Sequence, residues 1–430
     1  MESNLDCNLK FQTNNKIDTK LTRSFFNCTN MNLFEINTCT QNIDWSTIGN
    51  TRENLRRHRM IHHVGFRNSE DSSKEKHLRG EFFKETEKDI FYQFSDFFID
   101  IPINVQHFQL RKNLKMLNSY EIVYMRTFGI EKLNLLTNKK QFLVIYSAED
   151  NEESSKIVNF DICIKNDHIH IVCGKINGSI VIFSIKLANI NNLTSSKAPS
   201  SSTFRMRVAD EGESQITNHV QFIDNNSKLL ICSNDSQVKI FDLECNMNLL
   251  KKFKAPAAVN HFTINNTENI LSCVGDFETV ELYDFKTTQH ISSLKGHLDF
   301  GFSAYFKPNS DYILATGNQD FSCRLWDLRK TKSNDLDELN FKTLYGHFES
   351  IGEMCFISED LILYAENTDF LHLYDLKRDT MQTLDFFGSS AGLCVNKETK
   401  KVYCAISEYS HFGIMTFDMI KDSMYSLNSI

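Results

Sequence analysis

The chain has 430 residues, of which 41% are hydrophobic, so it is long enough to bury a large core. Its formal net charge of −8 argues against a general binder of nucleic acid or anionic membranes, which would need a basic surface. No apolar run reaches the roughly 18 residues of a membrane helix, and the N-terminus lacks the apolar stretch of a signal peptide. We therefore expect a cytoplasmic or nuclear protein whose 12 cysteines are mostly buried thiols.

Residues 51–65 predict a short basic helix. Within it, His58 and His62 have the spacing of the two histidines of a zinc finger. The cysteines do not fit that motif, because Cys28 and Cys39 lie eleven residues apart and Cys39 stands nineteen residues before His58. We expect the arginines of this helix to face solvent, with a patch for nuclear import or for an acidic partner as the alternative. We predict no metal site and no cofactor.

Residues 66–90 are dense in charge and are typical of a mobile linker. Residues 90–101 then contain two short β-type runs, either of which could supply a strand that closes a ring of sheets. The sequence therefore predicts two regions. Residues 1–106 are an N-terminal extension of low order, and residues 107–430 are a folded domain.

Three β-type runs between residues 120 and 146 predict a first group of strands, and an acidic cluster at residues 149–153 is more typical of a solvated turn than of a metal site. From residue 179 onward, short strands end in an aromatic residue that is often followed by Asp. The aromatic residues are Phe183, Phe241, Tyr283, Trp326, Tyr374 and Phe417. Their spacings of 42, 43, 48 and 43 fall near the period of a propeller repeat, and one spacing is 58. We expect residues 188–203 and 331–338, which lengthen two of these spacings, to be loops inserted between repeats.

Residues 294–329 contain the most complete repeat, with a Gly-His pair at 296–297 and a Trp-Asp pair at 326–327. This repeat resembles a WD40 repeat, the unit of one propeller blade. The resemblance implies a hydrogen-bonded tetrad, whose positions here are His297, Thr316, Asp320 and Trp326. We interpret the tetrad as structural, because such a network satisfies polar groups that the fold buries. The predicted fold is all-β: a seven-bladed WD40 β-propeller over residues 118–420, with a partly disordered or helical N-terminal extension.

The other repeats are imperfect. The unit that ends at Tyr374 keeps a Gly-His pair at 346–347, but its Asp369 lies five residues before the aromatic residue, whereas Asp320 lies six before Trp326. The other units must therefore depend more on apolar packing.

Exposed side chains beside each Gly-His pair are the expected partner-binding residues of this fold. The candidates are Asp299, Phe300, Phe302, Phe321, Arg329 and Phe348. The alternative is that these phenylalanines pack into neighbouring blades. The sequence contains no phosphate loop, nucleophile elbow or His-Glu-x-x-His motif, so we predict no catalytic residue.

Two resemblances bear on function. Residues 326–329 resemble the WD-x-Arg box of the substrate receptors of cullin-4 ubiquitin ligases, which implies an adaptor-contacting role for Arg329. A longer pattern resembles a fungal and plant family of WD-repeat proteins that includes a substrate receptor of the GID-type (CTLH) ubiquitin ligase. The segments that carry it are residues 108–114, 121–125, 296–303, 316–320, 323–327 and 365–375. This second resemblance implies recognition of a degradation signal.

We therefore expect a non-catalytic platform that binds proteins or peptides, on one face or in the central channel, with ubiquitin-ligase subunits among its partners. We expect no membrane, nucleic acid or small-molecule substrate as a partner. One alternative is a scaffold subunit of an RNA-processing or chromatin complex. The other is a propeller hydrolase, which would need a cluster of His and Asp at the channel mouth.

Overall fold

The computed structural model describes residues 40–41, 43–45, 49–62, 91–103, 105–147, 156–190, 198–210, 215–265, 267, 269–330, 340–347, 349–408 and 411–420. Helix α1 spans Arg52–His62, a short helical turn α2 spans Leu187–Ile190, and a 3-10 turn spans Leu328–Lys330. The rest of the regular structure consists of antiparallel strands. No helix in the described part of the chain is long and apolar enough to cross a membrane.

Five separate sheets of four strands follow one another along the chain. Blade 1 contains β2 (Leu114–Asn118), β3 (Glu121–Arg126), β4 (Gly129–Asn134) and β5 (Lys139–Ile145). Blade 2 contains β6 (Ile157–Lys165), β7 (His168–Lys175), β8 (Ser179–Lys186) and β9 (Ser201–Arg207). Blade 3 contains β10 (Thr217–Ile223), β11 (Lys228–Ser233), β12 (Gln237–Asp242) and β13 (Asn248–Lys254).

Blades 4 and 5 have the same four-stranded order. Blade 4 contains β14 (Val259–Ile264), β15 (Ile270–Gly275), β16 (Phe277–Asp284) and β17 (His290–Leu294). Blade 5 contains β18 (Gly301–Phe306), β19 (Ile313–Asn318), β20 (Ser322–Asp327) and β21 (Asn340–Tyr345).

The last two blades share one long strand, which makes a single sheet of seven strands. Its members are β22 (Ile351–Phe356), β23 (Leu361–Glu366), β24 (Thr368–Asp375), β25 (Thr380–Val395), β26 (Val402–Ser407), β27 (Gly413–Met419) and β1 (Tyr92–Ile99). The first part of β25 pairs with β24 as the outer strand of blade 6, and its last part pairs with β26 as the inner strand of blade 7. Counted this way, the ring has seven blades: the six that the repeat spacing predicts and the first one, which was predicted from the β-type runs between residues 120 and 146.

Strand β1 supplies the outer strand of the last blade. It pairs antiparallel with β27, from Tyr92 opposite Met419 to Ile99 opposite Gly413. The strand lies within residues 90–101, where the sequence allows for a closing strand, although it precedes the domain boundary drawn at residue 107. Because β27 is thereby paired on both sides, the N-terminal part of the chain covers what would otherwise be an open sheet edge.

The longest insertion sits inside a blade. Residues 188–203 connect β8 to β9, the third and fourth strands of blade 2, and their last residues already belong to β9. The expectation that they separate two blades is wrong. The repeated aromatic residue lies on the third strand of each blade, so the interval from one aromatic residue to the next also contains the fourth strand of the same blade. Residues 331–338 lie outside the described residues, between the third and fourth strands of blade 5.

The first strands of the blades form the innermost ring, and each packs against the first strands of its neighbours. Asparagine side chains join three pairs of adjacent blades by donating to the backbone of the next inner strand. The bonds are Asn159 Nδ2 to Thr217 O (2.5 Å), Asn218 Nδ2 to Val259 O (2.8 Å) and Asn260 Nδ2 to Gly301 O (3.1 Å). Each of these buried amides satisfies a carbonyl where the inner strand has a bulge.

The alternation of strand directions sets two faces of the ring. Turns between the second and third strands, and links from one blade to the next, lie on the same face, which we call the top face. Turns between the first and second strands and between the third and fourth strands lie on the bottom face.

Candidate functional site

The four tetrad side chains of blade 5 form a continuous chain of hydrogen bonds. Trp326 Nε1 donates to Thr316 Oγ1 (2.7 Å), and the Thr316 hydroxyl lies 2.8 Å from His297 Nε2. His297 Nδ1 lies 2.9 Å from Asp320 Oδ2. Burial lowers the pKa of His297, so its ring is neutral at pH 7 and donates from Nδ1 while it accepts at Nε2. Every polar side-chain atom of this hydrogen-bonded tetrad is then paired.

Asp320 is the tetrad residue that lies in a turn on the top face. Burial raises the pKa of its carboxyl, but the interaction with His297 and the hydrogen bond from Ser322 outweigh burial and hold the pKa at about 2. The backbone N–H of Leu298 also donates to Asp320 Oδ2 (3.0 Å). All four tetrad side chains are buried. The arrangement therefore supports a structural role, because no tetrad atom is open to a substrate.

Three of the six candidate partner-binding residues are buried, which contradicts the expectation that they are exposed. Asp299 is 0% exposed, and Phe302 and Phe321 are each 2% exposed. Phe302 packs edge-to-face against Phe108, in the segment that precedes blade 1, with ring centroids 6.3 Å apart. Phe300 is half-buried.

Arg329 is the clearly exposed member of the six, with a side chain that is 64% exposed. Its guanidinium forms two hydrogen bonds with Asp327, from Nε to Oδ1 (2.9 Å) and from Nη2 to Oδ2 (2.6 Å). These bonds fix the orientation of the side chain. Because Arg329 follows the third strand of blade 5, it lies on the bottom face, opposite the tetrad loops. Phe348 lies outside the described residues.

Helix α1 lies on the top face against blades 6 and 7. The helix is capped by Thr51, whose Oγ1 accepts the backbone N–H of Asn54 (3.1 Å). Arg52, Arg56 and Arg59 follow a spacing of four and three residues, which places them on one side of the helix. Their side chains are 13%, 15% and 18% exposed. The expectation that the arginines face solvent is therefore wrong for these three.

Arg56 inserts between two acidic side chains and an aromatic ring. Its Nε lies 3.7 Å from Asp369 Oδ2, and its Nη1 lies 3.5 Å from Asp385 Oδ2. Its Nη2 donates to the backbone oxygen of Phe386 (3.1 Å). The guanidinium carbon lies 4.4 Å from the centroid of the Phe370 ring, within the range of a cation–π contact.

Arg59 repeats this arrangement one helical turn further on. Its Nη1 donates to Asp369 Oδ1 (2.8 Å) and its Nη2 to Glu408 Oε2 (3.1 Å). Its guanidinium carbon lies 3.9 Å from the centroid of the Phe387 ring. The carboxylate of Asp369, which is 0% exposed, is thus shared by two arginines. We call the five residues that receive these arginines the arginine pocket: Asp369, Phe370, Asp385, Phe387 and Glu408.

The segment just before α1 binds beside the arginine pocket. Gln41 Nε2 donates to the backbone oxygen of Phe387 (2.8 Å), and the Phe387 N–H donates to Gln41 Oε1 (2.5 Å). Trp45 packs edge-to-face on the Phe387 ring with centroids 5.0 Å apart, and Ile43 is 1% exposed. The propeller therefore already holds one segment of its own chain on the top face.

Residues 107–112, which precede β2, cross the mouth of the central channel on the same face. The Phe108 ring packs against Phe302 of blade 5. Gln109 donates to Asp276 of blade 4 (3.2 Å), and Arg111 donates to the backbone oxygen of Ser390 in β25 (2.9 Å). These residues belong to the first segment of the longer family resemblance. They therefore cover the mouth of the channel.

The channel beneath this segment is lined by polar and aromatic side chains. The ring centroids of His219 and His261 lie 4.4 Å apart, and those of His261 and Tyr305 lie 5.1 Å apart. Lys112 Nζ lies 4.9 Å from the centroid of the Tyr305 ring. Burial holds the pKa of both histidines well below their usual value, and it raises the pKa of Glu353 to about 7.

These histidines do not form a hydrolytic site. Such a site needs a histidine oriented by a carboxylate and placed beside a nucleophile. Here His261 Nδ1 accepts the backbone N–H of Ala304 (3.1 Å). Within the described ranges, neither His219 nor His261 has a hydrogen bond to a carboxylate. The geometry gives no support to the propeller hydrolase.

Some of the sequence predictions lie outside the described residues. They concern Cys28 and Cys39, the side chain of His62, the charged segment at residues 66–90 and the acidic cluster at residues 149–153. The cysteines that are described carry free thiols, and eight of the nine are buried or half-buried.

The repeat and the fold are both similar to those of known proteins. Residues 288–327 match the family described as "WD domain, G-beta repeat". The crystal structure of the WD40 β-propeller domain of Doa1 superposes with a TM-score of 0.57 at 13% identity, covering 77% of this chain and 98% of that chain.

This chain carries a WD40 repeat and folds as a WD40 propeller.

Curated relatives of the propeller match it over shorter stretches. An uncharacterised protein of Schizosaccharomyces pombe is 27% identical over 230 residues, which is 48% of this chain and 64% of that protein. WD repeat-containing protein 82 of Drosophila melanogaster is 27% identical over 163 residues, which is 37% of this chain and 48% of that protein. The chain thus spans less than two thirds of the length of both relatives.

The arginine pocket is the main feature that the sequence analysis missed. Asp369 lies one residue closer to its aromatic residue than Asp320 does to Trp326, and the strand pairing aligns it with Phe321 of blade 5. Both residues have positive φ angles, 66° and 68°. Two acidic residues beside phenylalanines, Asp369-Phe370 and Asp385 before Phe386-Phe387, are the sequence signal that could have suggested an arginine-binding surface.

Proposed function

We propose that this WD40 propeller is a non-catalytic protein-interaction platform whose top face binds arginine-bearing helical segments in the arginine pocket. The observation that carries the proposal is the chain's own helix α1, docked there through Arg52, Arg56 and Arg59. A segment of a partner protein with the same spacing of arginines would compete with α1 for this surface.

The chemistry of the pocket favours arginine over lysine. The guanidiniums of Arg56 and Arg59 each lie over an aromatic face and point their edges at carboxylates. A planar guanidinium can stack and donate to two carboxylates at once, whereas an ammonium group acts as a point charge. The pocket therefore selects both charge and shape, which is what a peptide-recognition site requires.

Binding in trans can be measured once the pocket is freed in the full chain. We would replace all three arginines of α1 with alanine and titrate this variant with a fluorescent peptide that copies residues 49–62. Fluorescence anisotropy should show saturable binding to the triple variant and much weaker binding to the wild type, whose pocket is occupied in cis.

Two controls make the test specific for the pocket. A peptide with lysine at the three arginine positions should bind at least about 10-fold more weakly, since it loses the stacked, two-carboxylate geometry. The triple variant that also carries Asp385→Asn and Glu408→Gln should lose most of its affinity. Equal binding to all variants, or no binding to the freed pocket, would exclude peptide recognition at this surface.

A ubiquitin-ligase substrate receptor is our more specific proposal for the platform. Its support is Arg329, which is 64% exposed, held in one orientation by Asp327, and placed on the bottom face. A receptor of this kind would contact its ligase through the bottom face and its substrate through the top face. The resemblance to a family that includes a GID-type receptor points the same way. Such a receptor would act in the cytoplasm or the nucleus.

Affinity purification from the native cell with quantitative mass spectrometry tests this role. We would compare the wild type with Arg329→Ala, which leaves the blade core intact. Ligase subunits that are recovered with the wild type and depleted with the variant would support the receptor. Recovery of an RNA-processing or chromatin complex, with no ligase subunit, would favour the scaffold alternative and leave the top-face proposal unaffected.

A further inference from the structure

Three metal-ligating side chains converge in blade 6, next to the arginine pocket. They are His347, Glu366 and His372, and their ligand atoms all lie within 4.8 Å of one another. His372 Nε2 lies 2.8 Å from Glu366 Oε1, and His347 Nδ1 lies 3.4 Å from the same oxygen. Glu366 and His372 are 0% exposed, whereas the His347 side chain is 29% exposed and connects the cluster to the surface.

The cluster is not a copy of the tetrad in blade 5. Strand pairing places Tyr364 where blade 5 has Thr316, and His372 where blade 5 has Arg324. The hydroxyl that links the Trp and His of the tetrad is therefore replaced by a bulky ring, and a second imidazole enters. Blade 6 keeps the Gly-His pair but gathers two imidazoles and one carboxylate, whereas the tetrad has one of each.

We propose that His347, Glu366 and His372 bind one divalent transition-metal ion of the zinc type. Two imidazoles and a carboxylate are a common protein ligand set for Zn²⁺, with a water or a further ligand in the fourth position. Ligand atoms of a tetrahedral zinc site lie about 3.4 Å apart, as follows from metal–ligand distances near 2.1 Å. The separation of His347 Nδ1 from Glu366 Oε1 already has this value.

The surroundings of His372 suit a metal ligand. Its Nδ1 lies 3.1 Å from Thr383 Oγ1, and outer contacts of this kind fix the orientation of ligating histidines. In the absence of an ion, the proton on Nε2 donates to Glu366. When the ion binds, Nε2 supplies its lone pair, and the proton moves to Nδ1, where it donates to Thr383.

Glu366 is prepared to receive a cation. Its Oε1 lies 2.8 Å from His372 Nε2 and 3.4 Å from His347 Nδ1. Its oxygens also accept the backbone N–H groups of His347 (2.5 Å) and Glu349 (2.8 Å). Two backbone donors therefore hold the carboxylate in position, whereas the imidazole rings, which stack with centroids 5.0 Å apart, must rotate to direct both nitrogens at one ion.

The site would also support the arginine pocket. The His347 ring stacks on Phe370 with centroids 4.2 Å apart, and Arg56 lies over Phe370 at 4.4 Å. An ion that fixes His347 would therefore hold one wall of the pocket. This consequence rests on the proposed function, whereas metal binding itself does not.

Zinc binding by the full chain can be measured in a competition titration with a chromophoric chelator. We expect one equivalent of Zn²⁺ to bind to the wild type and to raise the melting temperature. His347→Ala, at a partly exposed position, should weaken binding by about 100-fold or more, and Thr383→Val by about 10-fold, as losses of inner and outer contacts do. In zinc-free buffer, His347→Ala should melt close to the wild type, which separates lost binding from lost folding.

Two matched variants exclude other histidines. His290→Ala removes a surface histidine whose Nε2 lies 2.6 Å from Glu281 Oε2 and has no third ligand, so zinc affinity should not change. The double change His58→Ala and His62→Ala removes the histidines that resemble those of a zinc finger. Zinc binding that survives His347→Ala and disappears with the double change would overturn the proposal. Failure of the wild type to compete with the chelator would do the same.

Discussion

Trp326 shows how one side chain can support a whole blade. It is 0% exposed, donates to Thr316, and packs with Leu314 of its own blade and Leu282 of blade 4. Trp326→Ala should therefore lower the free energy of unfolding by about 3–5 kcal/mol, as truncation of a buried aromatic residue does. Urea denaturation would measure the loss, followed by far-ultraviolet circular dichroism in place of tryptophan fluorescence, because the variant lacks Trp326.

Arg329→Ala is the matched control, three residues along the chain and on the surface. Among the described residues its guanidinium bonds to Asp327, in hydrogen bonds that are open to solvent, so the free energy of unfolding should hardly change. If Trp326→Ala destabilised the protein no more than this control does, the tetrad would not be a structural element of blade 5.

Glu353 in the channel gives the molecule a predictable dependence on pH. Burial raises its pKa to about 7, against 4.5 for a free glutamate, so the folded protein holds this proton where the unfolded chain releases it. Its contribution to stability is therefore present below about pH 4.5 and is lost as the pH rises through about 7. Glu353→Gln removes this penalty while it keeps an oxygen to accept the Leu393 N–H.

The variant should equal the wild type in stability near pH 5 and exceed it by about 2–3 kcal/mol at pH 8, the energy of a shift of this size. Urea denaturation at both pH values measures the difference. A constant difference between the two proteins across this range would mean that Glu353 titrates normally.

At the residue scale, the sequence predicts what a motif encodes and little beyond it. Trp326 and His297 could be placed because their spacing recurs in one type of repeat. The burial of Phe302 could not be predicted, because it involves Phe108, which is distant in the sequence. The position of Asp369 could not be predicted for a different reason. A shift of one position in a turn moves a side chain from the blade interior to the top face.

At the scale of elements, helix α1 depends on its arginines more than on its length. A helix of 11 residues is marginal on its own, so its order depends on the contacts in the arginine pocket. Arg59→Ala removes the bonds to Asp369 and Glu408 and the contact with Phe387. Backbone amides of residues 52–62 should then exchange with deuterium at least about 10-fold faster, because the buried Asp369 loses a partner.

Arg59→Lys keeps the charge and tests the geometry. It should give an intermediate exchange rate, since an ammonium group cannot stack on Phe387 and reach both carboxylates. Equal exchange in Arg59→Ala and the wild type would mean that α1 is held by contacts other than those of Arg59.

Helix α1 and strand β1 also show how far an element can be predicted from sequence. The basic pattern of residues 51–65 suffices to predict a helix, but its binding surface comes from residues more than 300 positions away. The β-type run near residue 92 suffices to predict a strand, but its partner β27 lies at the other end of the chain. Long-range pairing of this kind leaves no periodic signal in a single sequence.

At the scale of the whole molecule, ring closure depends on the N-terminal part of the chain. Strand β1 covers β27, and its Tyr92 hydroxyl donates to the backbone oxygen of Lys400 (2.7 Å). A chain that lacks residues 1–90 should keep the closed ring and lose only the segment on the top face. A chain that lacks residues 1–100 should lose β1 and expose the edge of β27, an unpaired row of backbone groups that favours association between molecules.

The two truncated chains differ by only ten residues, so their comparison isolates the closing strand. We expect the longer chain to melt within a few degrees of the wild type and to have the same oligomeric state in light scattering. The shorter chain should melt at least about 5 °C lower and associate as its concentration rises, because blade 7 is then reduced to three strands. Identical melting and light scattering of the two would mean that blade 7 is stable without β1. A role for the N-terminal region in partner binding is therefore best tested with a truncation that ends before Phe91, since a longer one removes part of the ring itself.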